Sequence, residues 1–268
     1  MSEMMEKIYK VLTNKQYVRY KPGEYFIGAV LKKIETAIDS QKPITLVIGF
    51  GYHKNPNACE NLLPDIAEET ALQRLANYAK TIEEIYPLGM KVKIVTSGRR
   101  SEIVNGMNPE HIQSYHFALQ KMAEQNGWQI IKVISLGSLY NEFCEDFQSA
   151  LEVAKKKVIP DWNDSFWIQQ AEHAKRNIYQ KGLNEDQIIQ KTCQSACDYV
   201  VYHRAEVEAN LLEKKFPGAI RASYNRHEES LVLWTTAKGA VTQPWQGKGE
   251  KDDSGRITII TQKRKRGG

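Results

Sequence analysis

The run Ile44-Thr45-Leu46-Val47-Ile48 constrains this chain more than any other feature. It is almost continuously apolar and β-branched, the pattern of a strand buried on both faces of a parallel sheet. Gly49 and Gly51 end it. Helical periodicity then runs from about Pro64 to Ile85, with Ile66, Ala67, Ala71, Leu72, Leu75, Ala76, Ala79 and Ile82 recurring at spacings of three and four. Tyr86-Pro87-Leu88-Gly89 reads as a turn and Val92–Val95 as a second buried strand. A helix from about Pro109 to Gln125 follows, then an Asn126-Gly127 turn and a third strand within WQIIKVISL. Helices between successive strands imply parallel pairing through right-handed crossovers. The expected class is therefore α/β, a Rossmann-like parallel sheet flanked by helices.

The flanking segments extend this frame. Residues 1–42 read as an amphipathic helical segment, with Ile27, Val30, Leu31, Ile34 and Ile38 on one face. Residues 43–137 form the α/β half. Residues 138–215 read as several helices with breaks at Pro160-Asp161 and Lys181-Gly182. Residues 216–268 hold short strand-like runs (AIRASY, SLVLWTT, RITIITQ), a small C-terminal β extension, and a basic tail, KRKRGG. All four segments are expected to build one domain.

Composition excludes some classes. The chain is 41% hydrophobic and 26% charged, values of a folded globular protein and not of a disordered one. No run of 18 apolar residues is present, so no membrane helix is expected. The start lacks the basic-then-apolar pattern of a secretory signal, and a cytoplasmic protein is expected. The four cysteines are sparse and should be reduced there. Cys193 and Cys197 share a helix face, but two thiols make a poor metal site, so packing is the reading and no metal or cofactor is expected. The net charge of +5 suits phosphorylated ligands or RNA.

Five polar constellations could carry chemistry. The loop Gly49–Asn57 lies beyond the carboxyl end of the first strand, where open parallel sheets bind ligands. Its glycines admit close backbone approach, and Tyr52, His53, Lys54 and Asn57 supply donors, an imidazole and a cation. It matches neither GxGxxG nor a P-loop. In the second, Asp65 caps the next helix, with Glu68 completing a capping box; the other reading turns Glu68 towards the sheet edge as a base. In the third, after the second strand, Ser97 stands at a glycine turn and Arg99 and Arg100 follow it, with arginine suited to capturing phosphate or carboxylate. The fourth comprises Arg221, Asn225, Arg226 and His227 around a short strand. In the fifth, QPWQGKG, Trp245 could stack on a ring or serve as structure.

In order, GF…KNPN (49–57), LPDIAEETAL (63–72), IYPLGMKVKIVTSGR (85–99), GM…Y (106–115), EKKFPGAIRAS (213–223) and QPWQG (243–247) resemble the isonitrile synthases of the pyoverdine/dityrosine biosynthesis type. The resemblance spans roughly residues 25–247. It implies a Rossmann-like fold without metal or redox cofactor. It also implies condensation of an aromatic amino acid's amine with the ketone of ribulose 5-phosphate, followed by fragmentation to an isonitrile. On this resemblance Lys54 and Arg99 hold phosphate or carboxylate, and Glu68 faces the amine. The chain departs from the pattern in four places. Thr96-Ser97-Gly98 stands for Ser-Asp-Gly, Ser101-Glu102-Ile103 for an aromatic-and-aspartate segment just after it, Ser223-Tyr224-Asn225-Arg226 for a histidine-bearing strand end, and Gln243-Pro244-Trp245-Gln246 for a motif ending in histidine. One acid and two histidines are thereby absent.

Two other functions remain open on the sequence. A cyclodipeptide synthase-like enzyme would use aminoacyl-tRNA, with Ser97 as a nucleophile and Glu206 and Tyr202 brought to the pocket by the helical segment. A non-catalytic homologue would only bind a small ligand. The expected partners are thus an aromatic amino acid with a phosphosugar, or aminoacyl-tRNA, and neither DNA nor membrane.

Overall fold

The computed structural model describes residues 2–20, 23–51, 53–224, 229–235 and 243–261. Its centre is a five-stranded, wholly parallel sheet in the order β3-β2-β1-β4-β5. The strands are β1 (Ile44–Phe50), β2 (Met90–Thr96), β3 (Ile131–Ser135), β4 (Ile220–Ser223) and β5 (Leu231–Val232). The order reverses at β1, because β2 and β3 grow from one side of it and β4 and β5 from the other.

Helices cover both faces, which is why the central strand β1 reads as a nearly continuous apolar run. On one face α1 (Glu3–Leu12), α2 (Glu24–Asp39), α3 (Ile66–Glu83) and α5 (Pro109–Gln125) bury Leu46, Ile48, Val92 and Ile94. On the other, α6 (Leu136–Glu142), α7 (Cys144–Lys157), α9 (Glu185–Glu208) and α10 (Leu211–Lys215) pack over Val47 and Val95. Local chemistry fixes the helix starts. Asn108 caps α5, with Pro109 in its first turn, and Asn184 and Gln187 form a capping box on α9. The α/β expectation and the small β extension both hold. That extension is the antiparallel pair β6 (Lys248–Lys251) and β7 (Ile257–Ile260), packed against α3.

Three local expectations change. Residues 1–42 are not one helical stretch: the chain leaves α1 at Leu12, and Val18 bridges to Leu233 before α2 begins. Among the described residues of SLVLWTT, Leu231–Val232 alone is a strand. Most consequentially, the segment after β2 is a helix and not a glycine turn: α4 (Gly98–Asn105) starts two residues beyond the strand. It ends on Gly106, whose φ of 63° is a left-handed cap. The expected breaks at Pro160-Asp161 and Lys181-Gly182 fall in the connections on either side of α8 (Ser165–Asn177). Tyr52, Asn225, Arg226, His227 and the KRKRGG tail lie outside the described residues. No helix among the described residues is long and apolar enough to cross a membrane.

Candidate functional site

A cavity of about 190 Å³ opens at the carboxyl edge of the sheet, where the strand order reverses. Open α/β sheets bind ligands at such a point because the connections diverge there and leave a crevice. Strand ends supply Gly49, Phe50 and Gly51 from β1, Ser97 after β2, and Ser223 from β4. One wall is α4, with Arg100, Ser101 and Asn105. The opposite wall is α8 and α9, with Gln170, His173, Asn177 and Tyr199. Gln243, Trp245 and Gln246 close it. The volume lies below the roughly 300–1,000 Å³ of drug-sized sites, which suits a ligand of amino-acid size.

Arg100 is the cation of this lining. Its guanidinium meets the Glu206 carboxylate at 2.6 Å and donates to Ser97 Oγ at 2.8 Å. It also lies 5.3 Å from the centre of the Tyr199 ring. Glu206 accepts a further hydrogen bond from the Tyr140 hydroxyl. Burial pushes the Glu206 carboxyl above its ordinary pKa, against the pull of Arg100. The pair therefore holds a partly neutralised guanidinium at the cavity wall, one edge committed to α9.

Trp245 is held by an unusual cluster behind it. Lys54 is wholly buried, and its ammonium lies 2.7 Å from Glu68 and 2.9 Å from each of Asp65 Oδ1, the Pro244 carbonyl and the Gly247 carbonyl. Three N–H bonds thus face four acceptors, which leaves none for a ligand. Glu68, also wholly buried, takes the Tyr115 hydroxyl at 3.0 Å and the Asp65 N–H at 2.9 Å. Asp65 caps α3 through Ala67 N–H and takes Gly249 N–H through its other oxygen. Burial raises the Glu68 pKa to about 7, opposed by Lys54 and by the hydrogen bond from Asp65. Burial also acts to raise Asp65, but hydrogen bonds from Lys54, Ala67 and Gly249 outweigh it and leave that carboxyl lowered.

The rest of the KNPN loop works the same way. Asn55 N–H donates to the Trp245 carbonyl at 2.8 Å, and the Asn55 and Asn57 side chains both bond carbonyls at the end of α8. The loop therefore ties α3, α8 and the 244–249 segment together. Trp245 then packs closely on Gly51, where an added Cβ would sit 2.2 Å from the indole, with the Phe50 ring centre 4.8 Å away.

The expected site residues divide accordingly. Gly49, Gly51, Ser97 and Trp245 line the cavity together. Lys54 and Glu68 do not; the structure corrects their expected ligand-facing place to a buried ion cluster. Neither does Asn57, which anchors the loop, nor His53, a buried imidazole bonded to the Lys54 carbonyl, whose pKa burial lowers to about 4. Arg99 is corrected as well. It is exposed and reaches Asn141 at 3.4 Å, because in a helix the next side chain points about 100° away and it is Arg100 that faces inward. Arg221 sits opposite Val47 in β4, two residues before Ser223, and is not part of the lining. Glu206 does reach the site through Arg100, whereas Tyr202, half-buried, packs with Tyr140 and Phe147 against the core. Gln170, His173, Asn177 and Tyr199 were not anticipated; only their place on amphipathic helices was readable, not which face would meet a cavity. Among the described residues no group of three or more His, Cys, Asp or Glu side chains converges as metal ligands would. Cys193 and Cys197 are free and half-buried.

The parallel sheet flanked by helices, with a cavity at its switch point, defines a Rossmann-like α/β protein. Residues 34–205 match the family described as pyoverdine/dityrosine biosynthesis protein, and the chain belongs to that family as a diverged member. It is 24% identical over 238 residues to an L-tyrosine isonitrile synthase of Xenorhabdus nematophila, a match covering 81% of this chain and 71% of the relative. It is 26% identical over 133 residues to the L-tryptophan isonitrile synthase AmbI1 of Fischerella ambigua, covering 49% of this chain and 42% of that protein. The crystal structure of the PvcA protein from Pseudomonas aeruginosa superposes with a TM-score of 0.78 at 20% identity, covering 96% of this chain and 92% of that one, and so shares the fold. These relatives favour the isonitrile synthases over the aminoacyl-tRNA alternative.

Proposed function

We propose that this protein is an isonitrile-forming enzyme of secondary metabolism, and that the switch-point cavity takes an aromatic amino acid. The relatives named above act, by name, on tyrosine or tryptophan. The observation that carries the reading is the joint placement of Trp245, Phe50 and Arg100 around one small polar cavity. The aromatic rings offer a stacking surface for the substrate ring, worth about 0.5–1.5 kcal/mol beyond burial. Arg100 supplies a charge-assisted hydrogen bond to the carboxylate of the amino acid or to a phosphate. Ser97, Gly49 and Gly51 line the approach of the reacting carbon. Lys54, Glu68, His53 and Asn57 act at one remove, by fixing the loop and the cover.

The second substrate in this reading is ribulose 5-phosphate. The amine attacks its ketone, water leaves, and fragmentation of the adduct leaves the former ketone carbon on nitrogen. A phosphosugar is a cytoplasmic metabolite, and the reading places the enzyme there. The test is incubation with L-tyrosine or L-tryptophan and ribulose 5-phosphate carrying ¹³C at the ketone. The expected product is an isonitrile with the label in its terminal carbon, seen by infrared and mass spectrometry. Absence of labelled product, together with no calorimetric binding of either amino acid, would refute the reading.

A further inference from the structure

The reaction proposed above needs a group that moves protons, because an amino acid arrives as an ammonium ion and only the free amine attacks a ketone. The cavity lining is short of such groups. Ser97, Ser101, Asn105, Gln170 and Asn177 carry hydroxyls and carboxamides that keep their protons near neutrality, and Arg100 stays charged. Tyr199 presents a ring face, with Arg100 on it and the His203 imidazole stacked 5.9 Å away. Glu206 is occupied by Arg100 and Tyr140.

His173 differs from all of these. It is the histidine of the cavity wall among the described residues, on the face of α8 that also presents Gln170 and Asn177. Its ring is half-buried, tilted at 52° to Tyr199 with 5.9 Å between centres, and no described residue hydrogen-bonds its ring nitrogens. Resting on the activity reading above, we propose that His173 is the proton-transfer residue of this site. It takes one proton from the substrate ammonium, and the amine nitrogen then bonds to the ketone carbon as the C=O pair moves to oxygen. A proton passes from that nitrogen to the oxygen, giving the carbinol hydroxyl. The imidazolium returns its proton to this hydroxyl, which leaves as water while the nitrogen lone pair forms the protonated C=N bond. The imidazole ends neutral, and no oxidant or reductant is consumed.

The surroundings suit a base. Burial lowers the His173 pKa, and the positive charges of Arg176 on its own helix and Arg100 across the cavity lower it further. Tyr199 faces it from α9 without adding negative charge, His203 stacks on the Tyr199 ring, and the Glu206 carboxylate is spent on Arg100. The imidazole is therefore neutral at pH 7, and activity should rise with pH through a value below the ordinary imidazole one.

The test uses H173Q and H173A in the full chain. With the unmutated protein active, H173Q should lower kcat by roughly a hundredfold to ten-thousandfold. Its amino-acid affinity by calorimetry should stay within about threefold, a factor worth under 1 kcal/mol. The acidic limb of kcat/KM should vanish, and added imidazole should restore part of the H173A rate. An H173Q enzyme with unaltered kcat and the same acidic limb overturns the proposal. Independently of turnover, the His173 ring resonances, assigned by their loss in H173Q, should shift to saturation as L-tyrosine is added. A ring that ignores the amino acid overturns the proposal even where isonitrile forms. Absence of isonitrile with a responding ring counts against the activity reading alone.

Discussion

Replacing Lys54 with methionine separates two accounts of the GFGYHKNPN loop. If Lys54 held a ligand phosphate, K54M would weaken substrate binding and leave folding alone. In the structure the buried ammonium instead pairs with half-buried Asp65 and wholly buried Glu68, and joins them to two carbonyls of the 244–249 segment. Removing one partner of a buried pair leaves the other charge uncompensated, an effect of about 3–5 kcal/mol. The pH dependence is specific. The Glu68 pKa is raised to about 7 in the folded state, so its protonated form contributes stability that is present below the unfolded value and lost as pH rises through about 7. Without Lys54 the folded pKa climbs further, and this loss continues to higher pH. The deficit of K54M against the unmutated protein should therefore widen above about pH 7, at up to ~1.4 kcal/mol per pH unit. Urea denaturation from pH 5 to 9, with both midpoint and slope recorded, measures it. A deficit under about 1 kcal/mol at every pH, with amino-acid affinity impaired, would refute the buried-clamp account.

Two further substitutions test the cover and the cation. Gly51→Ala would place a methyl 2.2 Å from the Trp245 ring, so it should destabilise by about 1–3 kcal/mol and weaken amino-acid binding, whereas Gly49→Ala, with nothing within 4 Å, should change stability by no more than about 0.5 kcal/mol in the same denaturation assay. Arg100→Lys keeps the charge but loses the fork that reaches Glu206 and Ser97 together, and calorimetry should show amino-acid affinity reduced roughly tenfold or more, the loss of one charged hydrogen bond worth about 1.5–3 kcal/mol.

The central strands were readable because their information is local. Ile44–Ile48 is a nearly continuous apolar run, Val92, Ile94 and Val95 are all buried, and Asp65 with Glu68 announces a helix start within four residues. The family resemblance was readable from motif order. The side chains at the cavity were harder, for two physical reasons. Helix phase decides between Arg99 and Arg100, and a reading of Gly98 as a turn hides that phase. Tertiary closure decides the fate of Lys54: a lysine in a glycine-flanked loop invites a ligand until the carbonyls of Pro244 and Gly247 arrive from the far end of the sequence. His173 had no local signal, since α8 turns it inward only after packing beside α9.

The Lys54 cluster has a consequence for the order in which the molecule matures. Its carbonyl partners lie 190 and 193 residues downstream, so a nascent chain can build β1, β2 and β3 and pair β4 while Lys54 is still hydrated. Only when residues 244–249 are threaded across the start of α3 is that ammonium dehydrated, and the same event seats Trp245 on Gly51. The cavity is thus closed last, by a latch whose bolt was translated early. A ribosome-stalled or C-terminally clipped chain would carry a sound sheet, a wet lysine and an open cavity.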